Sequence, residues 1–190
     1  MSVLPIVTYN DPVLRTETVS ITENSDTLQA LIDDMFDTMY NSSGVGLAAP
    51  QIGESIKLFV MDADAVTEEL DDEPELGPLV FINPEIVELK GDKVQMEEGC
   101  LSIPDLRDDV TRPDIVVVKY LDRDLSEKTI EASGWISRII QHEYDHLDGK
   151  LFIDYLSAFR RRLHKSMLKK IDTGKLDVEY PIVPKKGNQV

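Results

Sequence analysis

The 190-residue chain has one cysteine, three histidines and one tryptophan, and aromatic residues make up only 6% of it. A lone cysteine, Cys100, cannot close an internal disulfide, so covalent stapling of the fold is excluded and a reducing compartment, the cytoplasm, is expected. No run of about 18 apolar residues occurs, which argues against a membrane span. The start, Met1-Ser2-Val3-Leu4-Pro5, lacks the charged and apolar regions of a signal peptide. Positive charge is also scarce: 20 Lys/Arg face 36 Asp/Glu, for a net charge of −16. The shortage is uneven. From Ala158 onward nine Lys/Arg stand against three Asp/Glu, whereas the preceding 157 residues hold 11 basic and 33 acidic side chains. An acidic body argues against DNA binding. A charge run on a helix is usually a solvated face, and contact with a polyanion is the functional alternative for the basic end.

What is present suffices for one domain over residues 1–190, since 42% of the chain is hydrophobic and no internal repeat appears. Leu28, Leu31, Ile32, Met35, Phe36 and Met39 recur at i, i+3, i+4 spacing and predict an amphipathic helix over 25–41. Ser25 or Asp26 can cap its start, and Gly44 follows its end. A strand is expected around Lys57–Met61. Residues 62–78 hold eight acids, no base and two prolines, the composition of a mobile surface insertion between strands. Phe81 and its neighbours resume a strand, with Asn83-Pro84 as a turn or edge signal. Asp114–Tyr120 and Lys128–Ala132 read as a hairpin. Trp135, Ile136, Ile139, Ile140 and Tyr144 cover most sides of a helix from about Ser133 to Leu147, which predicts burial. A basic helix at about 155–171 and an irregular tail close the chain. The class is α+β, with antiparallel strands packed around the central helix.

That central helix carries Gln141-His142-Glu143-Tyr144-Asp145-His146. Residues four apart differ by about 40° around a helix axis, so His142 and His146 share a face, and Glu143 lies about 60° from His146. Two imidazoles on one face can hold a metal ion, and the carboxylate between them can take a proton from a nucleophilic water. A third protein ligand is needed to complete a catalytic site. A metzincin-like continuation has Gly149 in place, but Phe152 stands where its histidine would be. A thermolysin-like glutamate has only Glu179 downstream, without an acidic motif around it. Upstream stands Cys100, whose thiolate is a strong ligand, next to Gly99, which permits close backbone approach. Taken alone, a single cysteine is more often a small buried hydrophobe.

Three segments, Gly44-Val45-Gly46-Leu47-Ala48-Ala49-Pro50-Gln51, Glu98-Gly99-Cys100-Leu101-Ser102 and Gln141-His142-Glu143-Tyr144-Asp145-His146, resemble the signature motifs of peptide deformylases, in the family's order. The resemblance extends through Ile103-Pro104 and Leu147–Phe152. It implies a catalytic domain that removes formate from the N-formylmethionine of newly made polypeptides. Cys100, His142 and His146 would hold one divalent metal, Fe²⁺ in the cell, with Zn²⁺ or Ni²⁺ able to use the same ligands. Glu143 would act as general base and then general acid, and Gln51 with the backbone N–H of Leu101 would stabilise the oxyanion. Val45 and Gly46 would pair with substrate backbone, with Gly99 on the other side. Val45, Met96 and Ile139 are the expected lining of an apolar methionine pocket. Asp145 is expected to orient a histidine ring, and His164 to lie on the surface. Ser42-Ser43 replaces acidic residues, so an ion pair to Arg107 is expected to be absent. Nascent formylated chains are the implied partners, and the basic helix is a candidate contact for ribosomal RNA. A metallopeptidase cleaving internal bonds and a non-catalytic metal-stabilised binding protein use the same helix chemistry and stay open at this point.

Overall fold

Leu58-Phe59-Val60-Met61 is a strand buried on both faces, and the rest of the molecule is arranged around it. The computed structural model describes residues 2–67 and 74–184. In chain order its elements are β1 (Ile6–Val7), α1 (Asp26–Asn41), β2 (Gly46–Ala48), β3 (Leu58–Met61), α2 (Asp64–Thr67), β4 (Leu79–Cys100), β5 (Ile103–Leu121), β6 (Glu127–Ala132), α3 (Gly134–Leu147), α4 (Ala158–Leu163), α5 (Lys165–Asp172) and β7 (Ile182–Val183). Short 3-10 turns lie at Pro12–Arg15, Ala49–Ile52 and Phe152–Tyr155. The main sheet is antiparallel in the order β2-β3-β4-β5-β6, and β1 pairs in parallel with β7. The fold is α+β.

Side chains alternate across a strand, so a continuously apolar strand must have a partner on each face. Phe59 and Met61 join Phe81, Val116, Val118, Ile136 and Ile140 on the α3 side. Leu58 and Val60 join Ile32, Met35, Met39, Val80 and Ile82 on the α1 side. The Phe59 and Phe81 rings stack with centroids 4.4 Å apart across the register pair. Each such side chain, taken fully out of water, contributes roughly 1.5–3 kcal/mol. Ser25 caps α1, its hydroxyl accepting from the Leu28 N–H at 3.1 Å, as the periodicity indicates.

Four sequence expectations need revision. Asn83-Pro84 does not end a strand; β4 runs through it, with a register irregularity between Ile82 and Glu85. Asn83 adopts φ +48°, and its side chain accepts from Ile21 N–H and donates to Ile21 O, so the bulge is closed by its own amide. Asp114–Tyr120 is only the far end of β5, which with β4 forms a long hairpin turning at Leu101-Ser102. The basic helix is two helices broken at His164, and the tail contains β7. Of the acidic segment, residues 68–73 lie outside the described residues, and Asp64–Thr67 forms α2.

Candidate metal centre

Three short pieces of chain converge beneath the sheet edge. β2 runs into the turn Ala49–Ile52, which carries Gln51; the tip of β4 carries Cys100; and α3 carries His142, Glu143 and His146. One donor atom from each of Cys100, His142 and His146 lies within 4.8 Å of the others, close enough for one ion to span all three. Cys100 Sγ is 3.4 Å from His146 Nε2, which assigns that nitrogen to the site. His142 Nδ1 lies 2.9 Å from Glu98 Oε2, so Nδ1–H donates to the carboxylate and Nε2 keeps its lone pair for a metal. A soft thiolate with two imidazoles suits Fe²⁺, Zn²⁺ or Ni²⁺ and disfavours Mg²⁺ or Ca²⁺. The residues therefore fit a single transition-metal ion.

The support beneath this site is a buried ion network. Glu98 accepts from Arg112 through two bonds, at 2.6 and 2.9 Å, and from Arg138 at 2.7 Å. Arg112 also donates to Asp145 at 2.7 Å, and Tyr155 O–H donates to the other Asp145 oxygen at 2.9 Å. The side chains of Glu98, Arg112 and Arg138 are each under 5% exposed. Two carboxylates face two guanidiniums, so the buried charge balances. Burial alone would raise the Glu98 pKa, but bonds from Arg112 and His142 hold it well below the usual carboxylate range. Glu98 is the orienter of a histidine ring, and the role expected for Asp145 is corrected: Asp145 bonds Arg112 and Tyr155 instead. Sequence reading missed Glu98, Arg112 and Arg138 as a set; the one signal was a glutamate two positions before the cysteine.

Gln51 is 1% exposed, and its side-chain oxygen accepts from Ala48 N–H at 2.8 Å. Its NH₂ is thereby aimed at Cys100 Sγ, 3.5 Å away, and at Ser102 Oγ, 3.4 Å away. Glu143 is 5% exposed, and its Oε2 is buried without a hydrogen-bond partner. Desolvation, reinforced by the charge of Glu98 and opposed by His142, pushes its carboxyl up to about 7.

Glu143 also explains Gly46. A Cβ built at Gly46 would sit 2.4 Å from Glu143 Oε1 and 2.8 Å from its Cγ, so the carboxylate lies directly on the β2 backbone. Gly46→Ala is expected to displace Glu143 and lower turnover about 10²-fold, as displacements of about 1 Å do, with metal content and circular dichroism unchanged. Wild-type turnover in that variant would show that the carboxylate can move aside freely.

A groove of about 860 Å³ opens over these residues. Val45, Gly46, Gln51, Gly99, Leu101, His142 and Glu143 line it, together with Trp135, Ile139 and Tyr180. Met96, expected in a methionine pocket, is not among its lining residues, whereas Val45 and Ile139 are. Along its wall β2 is an edge strand that, among the described residues, pairs only with β3, leaving its outer edge for an extended peptide. Arg107 pairs with Glu97 at 3.9 Å in an exposed contact across the hairpin. His164 is not ordinary surface: its Nε2 lies 2.5 Å from the buried Asp108, which explains the break between α4 and α5.

Comparison with known proteins agrees with this geometry. The family profile described as polypeptide deformylase matches residues 3–162. The peptide deformylase of Salinibacter ruber is 48% identical over 99% of this chain and 98% of its own length. That of Christiangramia forsetii is 46% identical over 94% of each. Among solved structures, the peptide deformylase of Ehrlichia chaffeensis in complex with actinonin superposes with a TM-score of 0.83 at 40% identity, covering 93% of this chain and 100% of that one. With a cysteine and two histidines drawn together under a groove, and with relatives matching nearly end to end, the chain belongs to the polypeptide deformylase family.

Proposed function

We propose that this chain hydrolyses the formyl amide of N-formylmethionine at the start of new polypeptides, with Glu143 as the proton carrier and Gln51 Nε2 and Leu101 N–H as oxyanion donors. One observation carries the roles of Glu143 and Gln51, and that of Leu101 comes from the family motif. Among the described residues, the only buried carboxylate oxygen without a partner is Glu143 Oε2, in the groove toward which Gln51 presents its amide nitrogen. An extended peptide laid along β2 would pair with the Val45 and Gly46 backbone, with Gly99 opposite. Such pairing reads main chain and suits many N-terminal sequences. A divalent ion held by Cys100, His142 and His146 would supply hydroxide near neutrality by lowering the pKa of water toward about 7. Glu143 takes the proton that this water loses. As oxygen adds to the formyl carbon, negative charge develops on the carbonyl oxygen, where a preorganised donor is worth about 3–4 kcal/mol. Glu143 then returns the proton to the methionine nitrogen as the C–N bond breaks, releasing formate and a free amine.

Formate release from a formyl-Met peptide, measured beside cleavage of the same peptide without its formyl group, tests the assignment. Formate from the first and no cleavage of the second is expected. Internal cleavage without formate would replace the reading with a metallopeptidase.

Fe²⁺ is the proposed physiological ion. Air exposure of the iron-loaded enzyme is expected to abolish activity with oxygen added to Cys100, while the zinc-loaded enzyme keeps both. The site of action is proposed to be the cytoplasm; no helix among the described residues is long and apolar enough to cross a membrane. Arg161, Arg162, Lys165, Lys169 and Lys170 on α4 and α5, beside the exposed Phe159 and Leu163, support a contact with ribosomal RNA. Binding to ribosomes is expected to weaken steeply with salt.

A further inference from the structure

The turn Leu101-Ser102 joins β4 to β5 directly after Cys100, and its two carbonyls are held from outside the hairpin. Tyr9 N–H donates to Ser102 O at 2.9 Å. Tyr180 O–H donates to Leu101 O, also at 2.9 Å, from 79 positions along the chain. The Tyr180 and Leu101 side chains pack against one apolar cluster, which includes Leu47 and Ala49. The segment bearing Tyr180 is itself fixed, because β7 pairs with β1 and Ile6 N–H donates to Pro181 O at 2.9 Å. The Leu101 side chain also lies close against Gly44, where an added Cβ would stand 2.8 Å from Leu101 Cδ1.

A two-residue turn has few free torsions, and clamping both carbonyls removes most of what remains. The direction of the Leu101 N–H is then set by the clamps as much as by the hairpin. We infer that Tyr180 is a positioning residue for deformylation: by holding the Leu101 carbonyl it fixes the turn and aims the Leu101 N–H at the developing oxyanion. This rests on the reading of Leu101 N–H as an oxyanion donor. Such a donor works only at about 2.7–3.1 Å from the oxyanion, so a loosened turn loses transition-state stabilisation more than substrate affinity. Tyr180 lies beyond residues 3–162, the part of the chain that matches the family profile, so a tail contact completes a site built from the family motifs.

Tyr180→Phe in the full-length, metal-loaded enzyme isolates the hydroxyl, since the ring that packs on the apolar cluster is kept. The expected result is a kcat about tenfold lower with KM within about twofold, a smaller loss than the about 10²–10³ seen when a donor is removed outright. Metal content should match wild type, and the melting temperature should fall by no more than the about 2–4 °C that one lost hydrogen bond costs. In the zinc-loaded protein, which is diamagnetic, the Leu101 amide resonance should shift and its exchange with solvent quicken. A kcat equal to wild type, with or without a lower melting temperature, overturns the inference and leaves Tyr180 as an anchor of the tail. An unmoved Leu101 amide overturns it as well. Absence of formate release from metal-loaded wild type would instead sink the deformylase reading, and this inference with it.

Discussion

Glu143→Gln is expected to lower formate release about 10³-fold while leaving metal content intact, within the 10²–10⁴ range of a lost general acid–base group. The amide has nearly the size of the carboxylate, so it still fits against Gly46, where there is no room for more. On the proposed mechanism it loses the ability to accept the proton of water and deliver it to the amine. The same substitution is expected to stabilise the fold slightly. Glu143 is desolvated, and its Oε2 has no partner, an arrangement that costs free energy in the resting protein. Parallel measurement of kcat and the urea midpoint distinguishes the outcomes. A dead enzyme with an unchanged or higher midpoint supports a poised catalytic group, whereas a lower midpoint with activity retained would make Glu143 structural.

Glu98→Gln should have the largest effect on stability. The wild-type carboxylate meets Arg112, Arg138 and His142 together, and the four buried charges of Glu98, Asp145, Arg112 and Arg138 sum to zero. Removing one carboxylate leaves two guanidiniums facing a single acid, and an unbalanced buried charge of this kind costs about 3–5 kcal/mol. At about 2–4 °C per kcal/mol for a chain of this size, the melting temperature should fall by roughly 10 °C. Metal affinity should fall about 10–100-fold as well, because His142 loses the acceptor that fixes its ring. Thermal melts of the apo and loaded forms, with metal titration, check both effects. A variant that melts with wild type would mean that water or a neighbouring carboxylate replaces Glu98.

Much of the site was legible because its chemistry is compressed into short stretches. His142, Glu143 and His146 share one turn of helix, and Cys100 and Gln51 sit in compact motifs beside glycines. The two long helices were legible from apolar spacing and, for α1, from Ser25. The long hairpin was not. Between Glu85 and Glu97, β4 pairs with β5 and is largely exposed, and the short alternations Val87–Lys90 and Val94–Glu97 are split by Gly91-Asp92, so no single long strand is signalled. Asn83-Pro84 looks like a stop because the side-chain bonds that carry the strand through it go to Ile21, far away in sequence. The break at His164 depends on Asp108 on another element, and the network around Glu98 on arginines 14 and 40 positions away. Local pattern records local causes, and these causes are tertiary.

The contact between Gly46 and Glu143 also bears on how resistance to a groove-binding inhibitor would evolve. A compound laid along β2 would meet backbone atoms, which no codon change can alter. Within β2 the position against Glu143 is held at glycine by the carboxylate behind it. Escape by a bulkier residue at 46 would disable the enzyme along with the drug. Resistance mutations are therefore expected at the groove's side-chain walls, at Val45, Trp135 or Ile139, and not along its floor.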